Sequence, residues 1–154
     1  MMNLVQAETP EQIDEVRRLL REYEASLPVS LCFQDFEKEL AELPGEYARP
    51  RGKLLLGSLE GQVAGCVALR GLYDETCEMK RLYLRPGFRG KGAGRALATA
   101  IMGEARKLGY KKMRLDTLAT MREARTLYDS LGFKRIEAYC HNPTPGAVFM
   151  ELLL

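Results

Sequence analysis

Gly90, Gly92 and Gly94 alternate with Lys91 and Ala93, just after a run of strand-forming residues from Glu78 to Leu84. Between Met79 and Gly103 stand Lys80, Arg81, Arg85, Arg89, Lys91 and Arg95, with no Asp or Glu among them. Pro86 ends the strand because it has no N–H for the ladder. After the glycines, apolar residues at 93, 96, 97, 100, 101, 105 and 108 mark one face of a helix. Glycines at a helix start keep side chains away from outward-pointing backbone N–H groups, and such amides hold phosphate oxygens. Strand, basic glycine turn and helix start together predict a cradle for a ligand with several phosphates.

Two well-known phosphate fingerprints compete for this turn. A P-loop needs Gly, four spacers, then Gly-Lys-Ser/Thr; here Gly90-Lys91 is followed by Gly92, and position 85 is Arg, so that reading fails. A dinucleotide turn needs Gly-x-Gly-x-x-Gly, and Arg95 stands where its third glycine belongs. Asp116 nevertheless ends a later strand, about where a ribose-binding acid would lie, so a nicotinamide-dinucleotide oxidoreductase is kept as an alternative.

A third reading rests on two blocks. Arg89-Gly90-Lys91-Gly92-Ala93-Gly94, flanked by Leu82-Tyr83-Leu84-Arg85-Pro86 and Arg95-Ala96-Leu97, resembles the Arg/Gln-x-x-Gly-x-Gly/Ala signature of the GNAT acetyltransferase superfamily. Ala124-Arg125-Thr126-Leu127-Tyr128-Asp129-Ser130-Leu131-Gly132-Phe133 resembles that family's later helix, with its Leu-Tyr and Gly-Phe ending. The likeness covers roughly residues 50 to 154, and element order extends it to the N-terminus.

The resemblance implies an α/β chain of α+β type with the GNAT fold. That fold is a mixed, mostly antiparallel sheet of about seven strands with a central parallel splayed pair, flanked by about four helices. It implies an acetyl-CoA-dependent N-acetyltransferase moving the acetyl group directly from the thioester to a primary amine of a small molecule, peptide or protein. A non-catalytic acyl-CoA-binding regulatory domain is the competing class.

By the same resemblance, backbone groups of Leu82, Tyr83 and Leu84 meet the acetyl and pantetheine region, and one N–H serves as oxyanion donor. The amides of Gly90, Lys91, Gly92, Ala93, Gly94 and Arg95 hold the pyrophosphate, and Arg89 adds charge or shapes the loop. Tyr128 matches the tyrosine placed near the coenzyme sulfur as general acid; its alternative is packing on the core. Glu78 lies eleven residues before Arg89, the spacing of the general-base glutamate in the histone-acetyltransferase branch. Its alternative is pairing with Lys80 or another strand neighbour. Met121, seven residues before Tyr128, stands where protein N-terminal acetyltransferases often carry Asn, which disfavours a ribosomal-protein type of substrate. Acceptor sites in the superfamily are built from the N-terminal helices and the loop before the last strand. Here those segments hold Tyr23, Phe33, Phe36 and Tyr139 through Pro145, which implies a partly apolar pocket.

Composition sets the outer bounds. At 154 residues the chain reads as one domain, residues 1–154, with 46% apolar and 29% charged residues. A chain of that length buries roughly two thirds of its surface. A net charge of +2 is too small to argue for nucleic acid. Tyr83 and Phe88 within the basic run are suited to stacking bases, but the phosphate turn accounts for the same charges. Cys32, Cys66, Cys77 and Cys140 show no zinc-ligand spacing and the chain has one histidine, so no metal is expected. Cys77 reads as core filler. His141, in a Pro/Gly loop, reads as a surface residue with a base as its alternative role. No signal or membrane-spanning stretch is visible; a cytoplasmic protein with reduced thiols and no membrane partner is expected. A homodimer is open.

These residues must be positioned by a definite order of elements. A strand over Asn3 to Ala7 precedes a helix that opens at Thr9-Pro10-Glu11-Gln12, with Thr9 as N-cap and Gln12 as its capping-box partner. Ile13, Val16, Leu19, Leu20 and Tyr23 form its inward stripe, and Pro28 ends the region. A short helix through Asp35 to Leu40 turns Phe36, Leu40 and Leu43 inward. Strands over Lys53 to Glu60 and Gln62 to Leu72 meet at a Glu60-Gly61 hairpin, and Cys77 to Leu84 pairs antiparallel beside them. The long helix ends near Leu108-Gly109. Met113 to Asp116 follows a helical crossover, so it lies parallel to its predecessor. Thr120 to Glu123 reads as a second capping box, opening a helix with Met121, Ala124, Leu127, Tyr128 and Leu131 on one face. Phe133 to Tyr139 and Ala147 to Leu153 are the last strands.

Overall fold

The computed structural model describes residues 2–27 and 35–154. Pro28, Cys32 and Phe33 lie outside the described residues. Seven strands form one sheet in the order β1-β2-β3-β4-β5-β7-β6. They are β1 (Asn3–Gln6), β2 (Lys53–Leu59), β3 (Gln62–Tyr73), β4 (Thr76–Leu84), β5 (Lys112–Leu118), β6 (Lys134–Ile136) and β7 (Ala147–Leu153). Among the described residues, four α-helices join them: α1 (Pro10–Ser26), α2 (Phe36–Glu42), α3 (Ala93–Lys107) and α4 (Arg122–Leu131). Every strand pair is antiparallel except β4 with β5. The helical crossover through α3 produces that parallel pair.

Local sequence decides several joints. The Thr9 hydroxyl accepts from the Gln12 N–H at 3.2 Å and the Gln12 side chain accepts from the Thr9 N–H at 3.1 Å, so the capping box closes at Pro10. Glu60 and Gly61 both take positive φ, at 52° and 78°, which gives the β2–β3 hairpin its tight turn. Strand residues then alternate between two apolar layers. Leu55, Val67, Leu69, Met113 and Leu115 pack under α3 and α4, around Leu97 and Ile101. Leu54, Leu56, Cys66 and Ala68 pack under α1 and α2, around Val16, Leu19, Leu20 and Phe36.

Two expected elements differ. Thr120 does not cap α4: Met121 donates its N–H to the Leu118 carbonyl at 2.9 Å, and this backbone turn leaves Met121 as N-cap with no side-chain bond. The strand expected over Phe133 to Tyr139 shrinks to Lys134–Ile136. Beyond it the chain turns Tyr139 inward to Glu78 and Asn142 inward to Asp116, leaving an irregular loop that rejoins the sheet at Ala147.

Candidate active site

Three register pairs, Thr76, Glu78 and Cys77 against Lys112, Arg114 and Met113, join β4 to β5, and there the pairing stops. From Met79 and Leu115 onward the strands have no ladder between them. A cavity of about 90 Å³ opens in the gap, lined by Met79, Leu82, Leu115, Thr117, Met121 and Tyr128 among others. The β4 edge facing it carries backbone N–H and C=O groups that β5 leaves unpaired.

A bulge shapes that edge. Lys80 pairs with Ala68 and Tyr83 with Cys66, so Arg81 and Leu82 together oppose Val67. Arg81 sits at φ 60°, a left-handed conformation that costs an ordinary residue about 1–2 kcal/mol. Its guanidinium holds the position: Nε and Nη2 donate to the two Glu39 oxygens at 2.9 and 2.8 Å, and the group lies 5.0 Å over the Phe36 ring. A bulge re-aims the backbone that follows it, here Leu82, Tyr83 and Leu84.

The glycine turn comes next. Gly90 and Gly92 both adopt φ 78°, and Gly92 caps α3 without any side-chain bond to the helix end. No acidic residue stands in the first turn of α3. Its leading N–H groups therefore have no carbonyl of their own helix to donate to. Arg89 donates from Nε to the Leu84 carbonyl at 3.0 Å and lies 5.7 Å over the Tyr83 ring, so it shapes the loop. Arg95 bonds Ser130 on α4, and Lys91 is exposed. Gly94 faces the Leu84 and Leu127 side chains at ordinary van der Waals distance.

Tyr128 is buried, packs edge-on against Phe133 with centroids 5.7 Å apart, and lines the slot. Among the described residues its hydroxyl has no hydrogen-bond partner. Burial first, then the neighbouring Tyr23 and Asp116 charges, raise its pKa well above the ordinary phenol value.

Glu78 is 1% exposed. One oxygen accepts from Arg70 Nε at 2.7 Å and the other from the Tyr139 hydroxyl at 2.5 Å, while Lys80 Nζ lies 3.9 Å away. Each carboxylate oxygen thus accepts one side-chain bond. Arg70 stands directly across β3 from Glu78, which makes the pairing a cross-strand one.

A second cavity of about 400 Å³ adjoins the first, and the two share Lys80, Arg81 and Asp116. Arg70, Glu39, Glu46, Glu78 and His141 line it further out. Charged side chains crowd its described lining, and Tyr47 and Pro44 add apolar surface among them. Phe36 is buried beneath Arg81, Tyr139 is spent on Glu78, and Tyr23 lines the smaller cavity. The aromatic residues of the helices and last loop marked the right segments, but the strand residues Arg70, Lys80 and Asp116 set the polarity. Asp116 lies in the cleft between β4 and β5, at the end of the parallel pair where open α/β sheets bind ligands. That strand-end position is the one from which the sequence offered it as a ribose-binding acid.

Cys77 is buried with its thiol donating to the Lys112 carbonyl, as core filler. Cys140 is pushed up to about 11 by partial burial and then Asp116, which leaves it a thiol and not an activated thiolate. His141 is exposed at the rim of the larger cavity. Among the described residues, no group of three or more His, Cys, Asp or Glu side chains is placed to hold a metal, and no helix is long and apolar enough to cross a membrane.

A family model described as the acetyltransferase (GNAT) family matches residues 13–133. An uncharacterized N-acetyltransferase of Schizosaccharomyces pombe is 42% identical over 145 residues, which are 93% of this chain and 89% of that protein. The N-acetylaspartate synthetase of Danio rerio is 34% identical over 118 residues, 74% of this chain and 42% of that one. Among solved structures, the PaiA N-acetyltransferase of Thermoplasma acidophilum in complex with coenzyme A superposes with a TM-score of 0.75 at 19% identity, covering 100% of this chain and 99% of that one.

Proposed function

The chain belongs to the GNAT family of acetyltransferases, and from that premise we propose that it moves the acetyl group of acetyl-CoA directly to a primary amine of a small molecule, peptide or protein. The observation that carries this reading is the unpaired β4–β5 gap, with the Tyr128 hydroxyl on its wall and the uncapped glycine turn beside it. Such transfer has three needs: a neutral amine, a stabilised oxyanion and a protonated leaving thiolate.

Residues present on the chain meet these needs. Acetyl-CoA supplies an activated thioester on a long arm with two amides. The β4 edge of Leu82 to Leu84 offers backbone groups to those amides, and one N–H serves the oxyanion. The amides of residues 90 to 95 take the pyrophosphate at the positive end of α3. Tyr128 keeps its proton throughout the neutral range and gives it to the departing sulfur. Glu78, with both oxygens engaged, braces Arg70 and Tyr139 at the mouth of the gap. The name of the Danio rerio relative places L-aspartate among the amines to be tried.

Thermal unfolding with acetyl-CoA, CoA, ATP and NAD at matched concentrations tests the donor. Stabilisation by acetyl-CoA and CoA alone is expected. Stabilisation by NAD with none by CoA would overturn the reading. Thiol release from acetyl-CoA in the presence of an amine panel then tests transfer itself.

A further inference from the structure

We propose that Asp116 is the carboxylate that seats the acceptor as an ammonium ion and takes its proton, in the passage where the two cavities meet. This rests on the acetyltransferase reading and adds the residue and the charge state by which the acceptor enters.

Lys80, Arg81 and Asp116 line both cavities, which puts the Asp116 carboxylate at the boundary that the wide cavity and the slot share. The other carboxylates around the passage are committed. Both Glu39 oxygens hold Arg81, both Glu78 oxygens are taken by Arg70 and Tyr139, and Glu46 pairs with Arg70. Asp116 forms no ion pair among the described residues; its Oδ2 accepts one bond, from Asn142 Nδ2 at 3.0 Å. Asn142 is itself oriented, because its Oδ1 accepts the Thr144 N–H at 3.0 Å. The carboxylate is therefore fixed in direction and keeps Oδ1 for a ligand. The wide cavity supplies the matching field: among the described residues, six carboxylates line it against four lysine or arginine side chains, which favours entry of a cation over an anion.

The step balances as follows. The ammonium R–NH3+ gives one proton to Asp116 Oδ1, directly or through one water. The neutral nitrogen forms a bond to the acetyl carbon as the carbon–sulfur bond breaks. The second N–H proton leaves to solvent, Tyr128 protonates the thiolate, and Tyr128 then regains a proton from water. The products are the acetamide and free CoA thiol, and Asp116 returns its proton to water.

Hydroxylamine separates this role from the rest of the site, because it is already neutral at neutral pH and needs neither an ammonium seat nor a base. The test uses acetyl-CoA with hydroxylamine, and in parallel with a panel of alkyl monoamines, diamines and free α-amino acids including L-aspartate. In Asp116→Asn the expected result is a fall of about a hundredfold or more in kcat/KM for the best panel amine. Hydroxylamine acetylation and stabilisation by acetyl-CoA are expected to stay within twofold of the parent. Asn142→Ala, which releases Asp116 without neutralising it, is expected to lose about tenfold on the amine arm alone. Amine transfer kept within fivefold in Asp116→Asn, a parallel loss on hydroxylamine, or a parent enzyme that acetylates hydroxylamine and no panel amine would each overturn the proposal. Absence of both acetyl-CoA stabilisation and hydroxylamine acetylation in the parent would instead remove the acetyltransferase reading beneath it.

Discussion

Tyr128→Phe removes one oxygen from a ring whose packing against Phe133 is left in place. The hydroxyl makes no hydrogen bond among the described residues, so the melting temperature is expected to hold within a degree or two. The proton donor is lost, and kcat is expected to fall about 10²-fold with KM for acetyl-CoA nearly unchanged. A raised KM with kcat intact would mark the hydroxyl as a binding group. Glu78→Gln is expected to behave in the opposite way. It takes from the partly exposed Arg70 one of its two carboxylates and leaves it Glu46, so the cost is expected at about 1–3 kcal/mol, or roughly 2–12 °C in melting temperature for a domain of this size. Activity per folded molecule is expected to stay within tenfold; a stable but inactive Glu78→Gln would return the base role to Glu78. Tyr128 and the glycines were legible because each belongs to a short motif. Tyr139 and Asp116 were offered only by loop segment and strand end, because what they and Arg70 touch is settled by strand register and loop return. Tyr139 reaches Glu78 across 61 residues of sequence, and Asn142 reaches Asp116 across 26.

The bulge in β4 depends on a helix that is distant in sequence. Glu39 on α2 holds Arg81, and Tyr47 and Lys80 also act on that carboxyl. Burial raises the Glu39 pKa, but the bonds and charge of Arg81 outweigh it and leave the group below the ordinary carboxylate value. A folded pKa below the unfolded one means stability that is present at neutral pH and lost as pH falls through the folded value. The melting-temperature gap between the parent and Glu39→Gln is therefore expected to be widest near pH 7 and to close in the acid range below the ordinary carboxylate pKa. A gap independent of pH would show that the helix is held by packing alone. The turn into α3 gives a second check. Gly92 at φ 78° has open space around a would-be Cβ, so Gly92→Ala is penalised by conformation and not by collision, at about 1–2 kcal/mol. Both a lower melting temperature and a smaller shift with acetyl-CoA are expected from it. The Thr9 capping box, the Glu60-Gly61 hairpin and the Gly109 helix end were readable because neighbouring residues decide them. The start of α4 was not, since the Met121 N–H to Leu118 carbonyl bond of the chain leaving β5 overrides the Thr120 signal.

On the scale of the molecule, the site lies where one of the two apolar layers stops. The layer under α3 and α4 runs across the whole sheet, from Leu55 on β2 to Val148 and Met150 on β7. The layer under α1 and α2 reaches Tyr83 on β4 and includes no residue of β5, β6 or β7. On that face, beyond β4, the sheet presents Arg114 paired with Glu151, and Asp116. A charged cavity there follows from the short reach of the N-terminal helices. The same asymmetry leaves the half-sheets β1–β4 and β5–β7–β6 joined by three register pairs and a single core layer. A ligand spanning the gap adds a bridge between them. At a hundredfold excess over its dissociation constant, acetyl-CoA is expected to stabilise the protein by about 2.7 kcal/mol, which corresponds to roughly 5–10 °C. Amide exchange locates the bridge. Slower exchange is expected on β4 beyond Glu78 and in the first turn of α3, together with the facing end of β5 beyond Arg114. The β1–β2 pair, remote from the gap, is expected to change only by the global stabilisation. Slowing confined to α3 would mean that the phosphates bind while the arm stays out of the gap, and the β4 edge would then have no part in holding the donor.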